Sequence, residues 1–405
     1  MSEKRIVLKN CGVINPEDIA SYIENDGFRA LEKAINEMTP EQVIEQVKAS
    51  GLRGRGGAGF PCGLKWEMVR NAAGDEKYIV CNADEGEVGT FKDRYILTND
   101  PFSLVEGIAI AAYAVDAKQA YIYLRAEYHY LLNLVRQAIE QASEKGFLKH
   151  VDIEVREGAG AYVCGEEMAL MESIEGKRGE VRYKPPFPPT QGLWGKPTSI
   201  NNVETMMNVP RIVLNGADWY NMIGTERSKG TKVFSVGGDV GKPGVYEMEL
   251  GSPLKELVMD LAAADNPKMI QIGGATGRVI PYSMIETPLS FEDLLGAGAI
   301  TVYKEDRDVI EIIYRTMEFL AEESCGKCTP CREGTGVMVE IMKKFVEGEG
   351  TERDIKSLER LSAAMMISPL CGLGQAAPNP IVDSLQHFRE DYNNRIKQIQ
   401  GGVVS

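Results

Sequence analysis

The chain has 405 residues, enough for two or three domains at roughly 100 to 200 residues each. Its 45 basic and 59 acidic residues give a formal charge of -14, and no Lys/Arg block stands ready to release counterions from a phosphate backbone, which argues against nucleic acid as a partner. The opening "MSEKRIVLKN" lacks the apolar run of about 7 to 15 residues of a secretory signal, and the most apolar stretch, "LVEGIAIAAYAV", falls short of the about 20 residues that span a bilayer. A cytoplasmic chain without direct membrane insertion is the expectation, and in such a reducing compartment the eight cysteines read as metal ligands, reactive thiols or small buried hydrophobes rather than disulfides.

In chain order, residues 1–49 are predicted to be mostly helical and charged, an N-terminal arm or cap. Residues 50–228 alternate β-rich runs such as "KYIVCN" and "AYIYLR" with helical patterns such as "AEYHYLLNLVRQAIEQASEKG", which Gly146 stops. That order predicts a parallel α/β sheet. Residues 229–303 open with two β-rich runs around a Gly/Pro turn and then an apolar helix start, a small α+β unit. From 304 to 405 four apolar stripes recur at helical spacing: Val309, Ile313, Met317, Leu320; Met338, Ile341, Phe345; Ile355, Leu358, Leu361, Met365; and Ile381, Leu385, Phe388, Tyr392. Helices that cannot bury such stripes alone predict a four-helix bundle.

Between the first two of these helices stands "ESCGKCTPCREGTG", with Cys325, Cys328 and Cys331 in a C-x2-C-x2-C run, and Cys371 in "SPLCGLG" stands between the third and fourth. An up-and-down helix pair separates them, so both loops can meet at one end of a bundle. Four thiolates select zinc or an iron-sulfur cluster, and two-residue gaps with one remote ligand match cubane ligation. A structural zinc site stays open at this point, although its usual paired knuckles or clustered histidines are missing, the three histidines being scattered. Cys11, Cys62, Cys81 and Cys164 stand singly and read as packing.

A cluster needs an electron source. "GLRGRGGAGF" at 51–60 offers glycines for close backbone approach and Arg53 and Arg55 for phosphate charge, yet it lacks G-x-G-x-x-G spacing. "CNADEGEVGTFKDR" places Asp84, Glu85 and Glu87 after a predicted strand end, where open α/β sheets bind ligands. "EGAGAYVCGEEMAL" and "TSINNVET" add Glu166, Glu167, Asn201 and Asn202.

Taken together and in this order, "GLRGRGGAGFP", "GLKW", "CNADEGEVGTFKDR", "GAGAYVCGEE", "INNVET" and "ESCGKCTPCREGT" resemble the flavin-bearing, NADH-oxidising subunit of respiratory complex I and the related diaphorase subunits of NAD-linked hydrogenases and formate dehydrogenases. The resemblance implies a Rossmann-like FMN/NADH domain at 50–228, a β-grasp domain at 229–303 and a bundle at 304–405 holding one 4Fe-4S cluster on Cys325, Cys328, Cys331 and Cys371. It implies FMN contacts from Gly54, Arg55, Gly56, Gly57, Lys65, Asn82, Asp84, Glu85, Gly165, Glu166, Asn201, Asn202 and Thr205. For NADH it implies Phe60, Glu87, Tyr162, Glu167 and Phe187, with Glu85 and Glu87 positioning the nucleotide and no side chain acting as acid or base. Hydride then passes from NADH to FMN and single electrons go on to the cluster. Carboxylates at the nucleotide favour NADH over NADPH.

Two departures bear on fine positioning: Cys62 stands where the family pattern has Thr, and Met68 where it has an aromatic. "SPLCGLGQAAPNP" resembles the hydrogenase and formate dehydrogenase group more than complex I, so an NAD-dependent [FeFe]-hydrogenase, bifurcating or not, is the expected assembly, with a thioredoxin-like 2Fe-2S subunit and a larger iron-sulfur catalytic subunit as partners. Complex I and a formate dehydrogenase remain alternatives. The added cysteine-rich N-terminal and ferredoxin-like C-terminal segments of some relatives are not in this sequence, so a one-cluster chain is expected. A cluster-bearing relay or scaffold without nucleotide turnover is the competing class.

Overall fold

The computed structural model describes residues 3–397. The outer ends of the first and last predicted segments lie outside the described residues. Strands β1 (Tyr78–Ala83), β2 (Gln119–Leu124), β3 (Asp152–Glu157) and β4 (Thr198–Asn202) form one sheet in the order β3-β2-β1-β4, and every pairing in it is parallel. The two β-rich runs singled out in the sequence are β1 and β2. Between them lies the apolar run: helix Pro101–Val115, N-capped by Asp100 and buried on almost every side chain. A helix apolar all round belongs inside a core. The helical pattern at 126–146 begins as a tight turn, Ala126–Leu131, before the regular helix Leu132–Glu144, and Gly146 ends it at φ 82.

The first 49 residues do not project as an arm. Helices Ile19–Glu24, Arg29–Glu37 and Pro40–Ala49 insert Tyr22, Leu31, Val43 and Val47 into the core that also holds helices Pro101–Val115 and Val203–Asn215. Glu106 explains the close fit. Its buried carboxylate accepts from the Tyr22 hydroxyl, the Phe28 amide (3.1 Å) and the Leu31 amide (3.0 Å), holding Phe28 at φ 61.

A second sheet, β6-β5-β9-β7-β8, is built from β5 (Thr231–Gly238), β6 (Gly244–Glu249), β7 (Pro267–Ile272), β8 (Arg278–Pro281) and β9 (Ala299–Lys304). Only β5 and β9 run parallel. The expected helix after β6 is reduced to one wide turn, Glu256–Leu261, and the sheet closes over its own apolar cluster.

The last part packs helices Val309–Glu322, Thr329–Val346, Glu352–Met365 and Asn379–His387 around the predicted stripes, with Leu361 only half-buried. The fourth pattern breaks at Phe388 (φ -128), and the short helix Arg389–Asn393 buries Tyr392 separately. Asp383 fastens these helices to the second sheet, accepting from both Nε and a terminal nitrogen of Arg278 at 2.7 Å and from the Val279 amide at 2.9 Å. Among the described residues no helix is long and apolar enough to cross a membrane.

Glu106→Ala should destabilise the chain by about 3 kcal/mol or more, because it leaves two buried amides and a hydroxyl without an acceptor. Chemical denaturation of the variant against the parent checks this.

Candidate functional site

Parallel β1 and β4 end side by side, so the segments that follow them share one edge of the sheet. A cleft of about 450 Å³ opens there, of a size to take a cofactor. Gly56 and Gly57 form one side, Asn82, Asp84, Glu85 and Glu87 another, and Tyr162, Gly165, Glu166 and Asn202 a third. The second sheet supplies Gly273, Thr276 and Gly296, and the C-terminal helices supply Gly372 and Leu373.

Asp84 is 9% exposed and its Oδ2 has no hydrogen-bond partner. Burial pushes its carboxyl from 3.8 up to about 7, with Arg125 opposing and Glu127 and Glu323 adding to the rise. Such an orphaned buried oxygen, facing a cleft edged by backbone that carries no side chain at Gly56, Gly57 and Gly165, suits a planar ligand with its own hydrogen-bonding edge. The residues present therefore fit a flavin.

Glu87 closes the cleft from above. Its carboxylate accepts from the Tyr162 hydroxyl (2.8 Å), the Ala275 amide (2.7 Å) and the Thr276 hydroxyl (3.4 Å). Gly274 permits this approach: at φ 76, a Cβ there would lie 2.2 Å from Glu87 Cγ. Burial raises the Glu87 carboxyl above its ordinary range although these donors oppose it. Tyr162 also donates its amide to Glu323 Oε2 at 3.0 Å and meets Phe319 edge to face at 5.2 Å.

Several expected contacts point elsewhere. Arg55 is buried with its guanidinium on the Tyr220 hydroxyl (3.0 Å) and the Lys229 carbonyl (2.6 Å), away from the cleft, and its amide donates to Thr205 Oγ1 at 2.8 Å, so the two lock the glycine loop rather than line the cleft. Asn201 turns to Trp66 Nε1 (3.1 Å) and to Cys62 Sγ (3.6 Å). Cys62 thus serves as an acceptor, with its thiol pushed up to about 12 by burial. Glu85 lines the cleft, but its carboxylate is spent on the Asp93 and Arg94 amides (2.8 and 2.9 Å) and the Thr90 and Tyr128 hydroxyls, capping helix Lys92–Asn99. Gly54 also stays outside the lining, its amide bonded to the Phe60 carbonyl.

Around the cleft, Lys65 donates to the Ile200 carbonyl (2.9 Å) and approaches Glu167 (3.8 Å) and the Phe60 ring (5.9 Å). Lys184, not singled out in the sequence, pairs with Glu166 (3.1 Å) and Glu167 (3.0 Å). Phe60 and Phe187 are 42% and 54% exposed, as free stacking faces would be, whereas Met68 is exposed on its helix outside the lining. Sequence reading also passed over Lys92 and Asp93, hidden in an ordinary helix start, and Thr276 and Gly296, which no local signal connects to the first sheet.

Helix packing brings the Cys371 loop against Cys331. Cys328 precedes helix Thr329–Val346 and Cys371 precedes helix Gly372–Ala376, and burial pushes the Cys371 thiol up to about 11 although nearby amides oppose the rise. The amides of Gly374 and Leu373 approach Cys371, and Gly374 leaves its Cβ position 3.1 Å from Cys331 Cβ. Ser324 Oγ lies 3.3 Å from Cys331 Sγ. Among the described residues no group of three or more Cys, His, Asp or Glu is placed to hold a single metal ion. The loop docks on the first sheet's side through Arg178 to the Cys325 carbonyl (2.9 Å) and Lys327 to Glu180 (2.6 Å).

Residues 47–211 match the Nuo51 FMN-binding domain, and residues 311–395 match the NADH-ubiquinone oxidoreductase-F iron-sulfur binding region. A subunit of the NADH-quinone oxidoreductase of Rhizobium meliloti (strain 1021), designated F 2, is 43% identical over 97% of this chain and 98% of its own length. The HndC subunit of the NADP-reducing hydrogenase of Solidesulfovibrio fructosivorans is 43% identical over 97% of this chain and 83% of its own. The crystal structure of an NAD+-reducing [NiFe]-hydrogenase in the H2-reduced state superposes with a TM-score of 0.90 at 39% identity, covering 98% of this chain and 68% of that one. The chain belongs to the family of NADH-dehydrogenase-type oxidoreductase subunits that bear FMN and a 4Fe-4S cluster, shared by NADH-quinone oxidoreductases and NAD-reducing hydrogenases.

Proposed function

We propose that this chain is the diaphorase subunit of an NAD-dependent [FeFe]-hydrogenase, with bifurcation to ferredoxin left open, taking electrons from NADH in the cleft and passing them through the Cys325, Cys328, Cys331 and Cys371 site. The observation that carries the coupling is that Gly372 and Leu373, which directly follow Cys371, are part of the cleft wall. On this reading 50–228 is the Rossmann-like FMN/NADH domain, 229–303 a β-grasp domain, and 304–405 the four-helix bundle with the cluster, while 1–49 reinforces the first core.

When bound, FMN supplies the change from a two-electron donor to a one-electron acceptor. The chain's own residues position and exclude. Asn82, Asp84, Gly165 and Glu166 line the flavin edge, and Gly56, Gly57 and Asn202 lie at its other end. Glu87 and Tyr162 hold the roof, and Phe60 and Phe187 offer faces on which an adenine can stack. No acid or base is required for hydride transfer itself, so correct distance and orientation carry the rate.

NADH is favoured because Glu87, Glu166 and Glu167 would face an added 2'-phosphate. HndC, whose name records NADP reduction, makes the nucleotide worth testing directly. The hydrogenase assignment rests on the continuation after Cys371, and the partners proposed are a thioredoxin-like 2Fe-2S subunit and a larger iron-sulfur catalytic subunit. The near-complete overlap with a quinone oxidoreductase subunit favours complex I as the second reading. Identification of the subunits that co-purify separates the two.

Cys328→Ser should lose the iron-sulfur absorption and most bound iron and sulfide while keeping a flavin that NADH still bleaches. Full iron and sulfide in that variant would remove Cys328 from the ligand set. Glu87→Ala should raise KM for NADH about tenfold, the loss of about 1.5 kcal/mol expected for a charged hydrogen bond, and narrow the preference over NADPH. An unchanged preference in steady-state assays would place specificity elsewhere.

Asp84 gives a pH signature. Its folded pKa of about 7 lies above the ordinary 3.8, so the folded cofactor-free chain binds the extra proton between these limits. Stability from this group is therefore present below pH 4 and falls as pH rises towards 7. Asp84→Asn should flatten that slope in thermal melts of the flavin-free protein; an equal slope would show that Asp84 ionises freely.

A further inference from the structure

Beneath the cleft runs a chain of fully buried charges that hydride transfer does not require. Lys92, in the cleft lining, contacts Asp93 Oδ1 at 2.7 Å and Glu204 Oε2 at 2.9 Å. Glu204 also pairs with Lys232 on β5 and accepts the Val233 amide at 2.8 Å. These four side chains are at most 3% exposed. Isolated charges so deep are strongly disfavoured, and even good ion pairs seldom repay their desolvation.

The series is tied to the cleft at one point. Asn202 donates to Asp93 Oδ2 at 2.7 Å and accepts from Lys92 at 3.3 Å and from the Glu204 amide at 3.0 Å, which fixes both ends of its amide. Gly56, beside it in the cleft wall, would carry a Cβ 3.0 Å from Asn202 Cβ. At the far end, a Cβ on Gly298 would stand 2.7 Å from Lys232 Nζ, next to cleft-lining Ala297. Lys232 thus brings a buried charge from the second sheet to the segment next to the cleft lining.

We infer that Lys232 and Glu204 are positioning residues that set the electrostatic potential at the flavin, and with it the flavin's midpoint potential, from below the cleft. This rests on the cleft being the flavin site. NADH delivers two electrons and one proton and leaves as NAD+, so the cleft keeps one additional negative charge. A fixed cation nearby stabilises that charge and a fixed anion opposes it, and inside a protein neither is screened as in water. Burial lowers the Lys232 amine to about 7 with Glu204 opposing, whereas Glu204 itself, despite its burial, is held below its ordinary value by Lys232 and Lys92. Near pH 6, below the Lys232 value and above the ordinary carboxylate range, both groups are therefore charged.

The test is a spectroelectrochemical titration of the flavin at about pH 6, where both groups are charged, in the full chain loaded with FMN, comparing parent, Lys232→Met and Glu204→Gln, both close in shape to what they replace. The midpoint should move negative in Lys232→Met and positive in Glu204→Gln, with FMN still bound. Two unchanged midpoints, or shifts of the same sign, would overturn the inference, since mere loosening of the structure has no reason to give opposite signs. Should one variant fail to fold, the sign of the other decides. A parent chain that binds no FMN would instead overturn the reading of the cleft on which the inference rests.

Discussion

The carboxylate of Glu87 is where three parts of the chain become one site. It follows β1 in the first sheet, accepts the Ala275 amide and the Thr276 hydroxyl of the second, and takes the Tyr162 hydroxyl, whose residue in turn meets Phe319 and Glu323 of the C-terminal helices. A two-electron donor can feed a one-electron carrier only if the two are held close. Without this junction the three parts of the chain would no longer be tied together at the cleft. A half-buried carboxylate with three donors is an exacting interaction, because any unmade bond costs its desolvation in full.

The same economy governs the cysteine end. Helix packing over Met338, Ile355, Met365 and Ile381 brings two loops to one end of the bundle, and Cys328 and Cys371 each stand directly before a helix. The helix starting at Gly372 then has a double duty: its amides approach Cys371 while its first residues line the cleft.

How far the sequence could be read depended on how local each determinant is. The C-x2-C-x2-C run and the helical stripes are local, so an iron-sulfur region and the C-terminal helices were legible, apart from the break at Phe388. The α/β order of β1 and β2 was legible for the same reason, and the long apolar run correctly read as non-spanning is the central helix of the core. Side-chain direction was not legible. Arg55 looks like a phosphate ligand in a glycine loop, yet Tyr220 and Lys229, far along the chain, draw its guanidinium inward. Glu85 looks like a ribose ligand, yet helix Lys92–Asn99 takes its carboxylate. Thr276 and Gly296 reach the cleft only through the packing of one sheet on another, and Lys92 and Asp93 read as a solvated helix start until their burial is known.

The most direct test of the account is a crystal structure of the anaerobically purified, FMN-loaded chain with anomalous diffraction at the iron edge. The flavin should lie in the cleft between Asp84 and the Gly372–Leu373 wall, with one four-iron centre held by Cys325, Cys328, Cys331 and Cys371. A flavin bound elsewhere, or a single tetrahedral zinc on those thiolates, would contradict it.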